Sequence, residues 1–200
     1  MNFLAHAFLS FNDPGILAGN MISDFVKGKK KHDLPVPIQK GIALHRAIDS
    51  YTDEHLANRE LKLIFKPKYG LYSSPIMDVL FDHFLATDQS IFDNESLLGF
   101  SNITYLQLEM FQDHFPAPFA RMFPYMTSQN WLYHYRFHEG VKNSLGGLAR
   151  RAKYLAEVDT AFSLFEEHYE TLRAGYNEFF PDLRSMAHDT YLDLIDRESV

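Results

Sequence analysis

IQKGIALHRAIDSYTDEH occupies residues 38–55. Gly41, His45, Asp49 and Thr52 recur within it at i, i+4, i+8 and i+11, which sets them on one stripe of an α-helix, with Ile38, Ile42 and Ile48 along an adjoining apolar strip. The segment therefore reads as helix, and His45 and Asp49 face one point. Pro35 and Pro37 mark its start, and the pattern runs to about Phe65 with a kink expected near Thr52.

Working outward, helix punctuation is dense. Asn2 can cap a first helix running to about Phe11; Asn12-Asp13-Pro14 breaks it, with Asp13 as N-cap and Pro14 at the first position of a second helix that Gly28 can close. Ser74-Pro75 opens a helix through about Phe92. In the second half helices are expected at about 95–114, 117–126, 129–137, 139–154 and 158–179, and Pro181 is expected to separate a last one at about 182–197. No alternating run is long enough for a strand, and no Asn-Gly hairpin or internal repeat appears. The fold class is all-α, a single-domain helical bundle over 1–200 with short connections.

Composition narrows the function. With 46% hydrophobic and 15% aromatic residues in 200, the chain can bury a substantial core and is not disordered. No run of about 18 uncharged apolar residues is present, so no membrane span is expected. The N-terminus has neither a basic region nor a small-residue cleavage site, and a cytoplasmic location is expected. Zero cysteines exclude disulfides, thiolate nucleophiles and Cys-ligated zinc, so any metal is held by His, Asp and Glu. A formal charge of −7 argues against nucleic-acid binding. Against that background Lys27, Lys29, Lys30, Lys31 and His32 form a local basic cluster suited to an acidic partner or a phosphate, and Arg46, Arg59, Lys62, Lys66 and Lys68 follow downstream.

Apolar stretches carry ionisable residues where a core would prefer none: His6 in NFLAHAFLSF, Asp24 in GILAGNMISDFV, and Asp78, Asp82 and His83 in PIMDVLFDHFL. Burying a lone carboxylate or imidazole costs several kcal/mol unless it is paired, neutralised or metal-bound. Asp78 and Asp82 lie one helical turn apart and His83 is displaced by about 100° from Asp82, so at most two of the three point squarely inward. Imidazole nitrogens with carboxylate oxygens are a mixed, fairly hard set suited to manganese, iron or zinc, and a bundle core can bring such ligands together. No Glu-x-x-His pair, His-Glu-x-x-His motif, Gly-rich phosphate loop or serine elbow is present.

In order and spacing, MNFLAHAFLS, GNMISDFVKG, GIALHRAIDSYTDEH and MDVLFDHFL resemble the acyl carrier protein phosphodiesterase family, closely over residues 1–86 and more weakly beyond, through Trp131, Tyr135, Arg150 and Phe179-Phe180-Pro181. The resemblance implies an all-helical fold like that of the metal-dependent HD phosphohydrolases. It also implies hydrolysis of holo-acyl carrier protein to the apo form with release of 4′-phosphopantetheine, supported by manganese. The implied metal ligands are His6, Asp24, His45 and Asp82. Asp49 or His83 would position or deprotonate water, Arg46 or Asn20 would contact the phosphate, and Lys27, Lys29, Lys30 and Lys31 would dock the acidic carrier. One departure is that Asp82-His83 reverses the His-Asp pair that names the HD group, so ligand roles do not transfer directly. Two other readings stay open: a metal-dependent phosphohydrolase for a nucleotide or other small phosphoester, and a non-catalytic helical protein that binds acyl carrier protein. Oligomeric state is not encoded in any feature of the sequence.

Overall fold

The computed structural model describes residues 2–151 and 157–196, and every regular element among them is helical. The α-helices are α1 Phe3–Phe8, α2 Pro14–Ile22, α3 Val36–Glu54, α4 Leu56–Tyr69, α5 Ser73–Thr87, α6 Asn94–Glu109, α7 Ala117–Ser128, α8 Trp131–His134, α9 His138–Arg151, α10 Val158–Glu167 and α11 Tyr169–Asp196. Short 3-10 turns at Ser23–Phe25 and Gly28–Asp33 join α2 to α3. The expected ends at 152–154 and 197 lie outside the described residues.

α5 is the hub. Ile76, Met77, Val79, Leu80, Phe81, Phe84 and Leu85 are all buried, so apolar residues cover its whole circumference and it has neighbours on every side. α11 runs across α3, α4 and α5 and buries Leu172, Tyr176, Phe179, Phe180 and Leu183 against them. One continuous apolar core extends from Leu4 to Ala187.

α2 and α3 pack backbone to backbone, because glycines face each other at their crossing. A Cβ on Gly19 would lie 2.0 Å from the Ile38 carbonyl oxygen, and one on Gly41 would lie 2.2 Å from that of Ile16. Only residues without a side chain permit this backbone approach.

The expected start of α2 is found: Asp13 Oδ1 accepts hydrogen bonds from the Gly15 and Ile16 amides at 2.9 and 3.0 Å, with Pro14 at the first helical position. Several boundaries differ from expectation. α1 stops at Phe8, and Phe11 and Asn12 adopt positive φ of 51° and 61° to reverse the chain into α2. α2 ends at Ile22, well before Gly28. The helix expected over 38–65 breaks at His55, whose ψ of 134° is extended, rather than kinking near Thr52. Pro181 does not end a helix: α11 continues through it, because Phe179, Phe180 and Leu183 are anchored in the core on both sides, and the break falls at His168 instead.

Candidate metal centre

The α2–α3 crossing sets the site. It brings the Asn20 carbonyl oxygen to 2.7 Å from His45 Nδ1, so Nδ1 carries a hydrogen and donates. Nε2 is thereby turned to two carboxylates, Asp49 Oδ2 at 3.0 Å and Asp24 Oδ1 at 3.2 Å. A backbone carbonyl on one imidazole nitrogen is the usual support for a histidine whose other nitrogen binds a metal.

His6 completes the cluster from α1. Its ring stacks on that of His45 with centroids 3.9 Å apart and planes 14° from parallel. Nε2 lies 3.3 Å from Asp49 Oδ1 as an ion-pair contact, and neither buried His6 nitrogen makes a hydrogen bond. One ligand atom from each of His6, His45 and Asp49 can be chosen so that all lie within 4.8 Å of one another. Asp24 adds an exposed carboxylate from the 3-10 turn after α2.

Electrostatics sort these groups. Burial and the neighbouring His45 lower the His6 pKa to about 4, against the pull of Asp49, so His6 is neutral with a lone pair to give. Burial also opposes charge on His45, but Asp24 and Asp49 outweigh it and raise its pKa to about 9. For Asp49 burial favours the neutral acid, yet His45 and His6 hold the carboxyl far below the usual range. His45 likewise lowers Asp24. Two carboxylates around two imidazoles, with buried His6 nitrogens lacking hydrogen bonds, is a donor set that fits a divalent cation with nitrogen and oxygen preference.

The remaining expected site residues lie elsewhere. Asp82 is not brought into the cluster: its oxygens accept hydrogen bonds from the Leu4 and Ala5 amides at 2.8 and 3.0 Å, seating the start of α1 and hence His6. Burial raises its pKa to about 7 although these amides favour the anion. His83 also faces away, with Nδ1 donating to the Tyr135 carbonyl at 2.8 Å and Nε2 3.1 Å from the Tyr169 hydroxyl, which donates to it. Burial lowers its pKa to about 4, consistent with that neutral, doubly bonded ring. The two are separated by the roughly 100° between successive helical residues, and a helix buried all round gives each its own neighbourhood.

Asn20 is fully buried, so its amide is not placed to touch a substrate phosphate. Nδ2 donates to the His6 carbonyl at 2.8 Å and to Ser10 Oγ at 3.1 Å, tying α2 to α1. This support through Asn20 and Ser10 was not foreseen from the sequence, since its key acceptors are backbone carbonyls that no residue type announces. Arg46 is exposed on α3, beside His45 in the chain but not part of the cluster. Lys27, Lys29 and Lys30 are exposed and Lys31 half-buried in the turns that follow Asp24. His55 lies at the α3–α4 junction, 3.5 Å from Asp182.

No helix among the described residues is long and apolar enough to cross a membrane. The sequence family described as acyl carrier protein phosphodiesterase matches residues 1–183, well beyond the stretch whose motifs stand out by eye. A protein of Yersinia pestis named acyl carrier protein phosphodiesterase is 34% identical, the match covering 94% of this chain and 97% of the relative. Proteins of the same name from Enterobacter sp. (strain 638) and Salmonella paratyphi A are each 30% identical, the matches covering 96% and 94% of this chain and 100% and 97% of those relatives. No solved structure shows a significant match. A match across nearly the whole length, together with those identities, means that this chain belongs to the acyl carrier protein phosphodiesterase family.

Proposed function

We propose that this protein is a metal-dependent phosphodiester hydrolase that removes 4′-phosphopantetheine from holo-acyl carrier protein. The observation that carries the reading is the His6, His45 and Asp49 cluster, open to solvent on the Asp24 side, in a chain whose relatives bear that enzyme's name. His6, His45 and Asp49, with Asp24, would hold the ion, and manganese suits their nitrogen and oxygen donors. A divalent cation bound there would neutralise the phosphodiester's charge and acidify a nearby water.

The chain's own residues prepare that step. Asn20 aims His45 Nε2, Asp82 seats α1 so that His6 stacks on His45, and Asp49 stays ionised between the two imidazoles. Water adds to phosphorus, the bond from phosphorus to the carrier's serine oxygen breaks, and the serine leaves as its alcohol. The water oxygen therefore ends on phosphopantetheine. Lys27, Lys29, Lys30 and Lys31, directly after Asp24, support the approach of an acidic carrier.

The test is incubation of the purified protein and Mn²⁺ with holo-acyl carrier protein, read by intact-protein mass spectrometry. The carrier's mass is expected to fall by one phosphopantetheine; unchanged mass with several cognate carriers would overturn the assignment.

A further inference from the structure

We propose that the outer face of α4 is a docking surface for an acidic amphipathic helix of the carrier protein, an inference that rests on the carrier-directed reading above. α4 buries Ala57, Leu61, Phe65 and Tyr69 on its inner side. Its opposite side is apolar as well: Leu56 is 65% and Leu63 is 59% exposed, and Leu71, just past the helix, is 94% exposed. Leu56 and Leu63 are two turns apart, nearly in line and about 10 Å from each other along the axis. This ridge contributes nothing to the core.

Cations flank the ridge on one side, and a single exposed acid, Glu60, flanks it on the other. The helical spacing sets Arg59 and Lys66 beside the leucines, with Lys62 further round in the same direction. Lys62 Nζ donates to Asp53 Oδ1 at 3.0 Å and lies 3.4 Å from Ser74 Oγ. Asp53 is one turn beyond Asp49 on α3, so the basic row lies between the leucine ridge and the metal centre. Lys62 and Lys68 are already paired, with Asp53 and Glu157, which leaves Arg59 and Lys66 as the cations of this face without an acidic partner among the described residues.

Charge selects the occupant. Apolar side chains two turns apart beside unpaired cations complement a helix that alternates apolar and acidic residues, and such complementarity also speeds encounter. A net charge of −7 and leucines between the cations disfavour nucleic acid.

The experiment compares wild type with Arg59→Glu/Lys66→Glu and with Leu56→Ser/Leu63→Ser, all at exposed positions. Each pair is expected to raise KM for holo-acyl carrier protein at least ten-fold, to weaken apo-carrier binding by fluorescence anisotropy in parallel, and to leave kcat and hydrolysis of bis(p-nitrophenyl) phosphate unchanged. KM and carrier affinity within two-fold of wild type in both variants would overturn the docking surface while leaving the hydrolase reading intact. Carrier binding by wild type without hydrolysis, lost in the variants, would uphold the surface and remove the activity. No carrier binding by wild type, or a dimer in light scattering that the leucine variant dissociates, would overturn the proposal.

Discussion

Two buried histidines, on α3 and α5, are held in opposite ways. His45 has a carbonyl on one nitrogen and two carboxylates near the other, whereas His83 has a carbonyl and a tyrosine hydroxyl and, among the described residues, no carboxylate partner to offset the burial that keeps it neutral. The folded protein resists protonating His83 until about pH 4, while the unfolded chain takes the proton near 6.5. Between these values the unfolded state binds more protons, so stability falls as pH drops, and at pH 4 the loss amounts to about 3 kcal/mol. His83→Gln removes this titration. Urea unfolding of metal-free protein at pH 7 and pH 4 should therefore show wild type losing about 3 kcal/mol more than the variant, and an equal loss in both would contradict a neutral buried His83. The i, i+4 spacing made the His45–Asp49 pair legible in the sequence, and the cost of a lone buried imidazole pointed to His6. The same logic picks out Asp82 and His83 as well, but on a helix buried all round burial does not say which neighbour a side chain meets.

Elements matter here through how closely two of them approach. The Asn20 carbonyl reaches His45 because Gly19 and Gly41 let α2 and α3 touch backbone to backbone. A methyl group at Gly41 would lie 2.2 Å from the Ile16 carbonyl oxygen and 2.8 Å from Gly19 Cα, and neither backbone atom can swing aside as a side chain would. The helices must separate instead, at a cost of about 1–3 kcal/mol of overpacking. Gly41→Ala should thus lower the melting temperature and also weaken Mn²⁺ binding, by roughly the 10–100-fold that loss of a histidine's supporting hydrogen bond causes. Calorimetry with titrated Mn²⁺ checks both, and a destabilised variant with wild-type metal affinity would show that the crossing supports the fold without tuning the site. The glycine at 41 stood on the functional stripe of the sequence, but its partner Gly19 could be matched to it only once the helices were packed. Helix breaks were similarly half legible: Asp13-Pro14 punctuates α2 locally, whereas the core contacts of Phe179, Phe180 and Leu183 carry α11 through Pro181 against its local preference.

At the scale of the molecule, the all-α class followed directly from periodicity and punctuation, while the mutual placement of the helices depended on long-range packing that no local pattern records. The candidate centre joins α1, the turn after α2, and α3, which unfolding would scatter over residues 6 to 49. A ligand that binds only the folded arrangement stabilises it by mass action, by about 2.7 kcal/mol when present at a hundred times its Kd. For a chain of 200 residues that corresponds to a rise of about 5–10 °C in melting temperature. Among the described residues Asp49 is the one carboxylate paired with both imidazoles, so Asp49→Asn removes the charge that both the ion and His45 depend on. Differential scanning fluorimetry should show wild type gaining stability with increasing Mn²⁺ and losing that gain on chelation, with no gain in Asp49→Asn. Equal Mn²⁺-dependent shifts in both proteins would place any bound ion away from the imidazole pair, and the centre described here would not be where the metal resides.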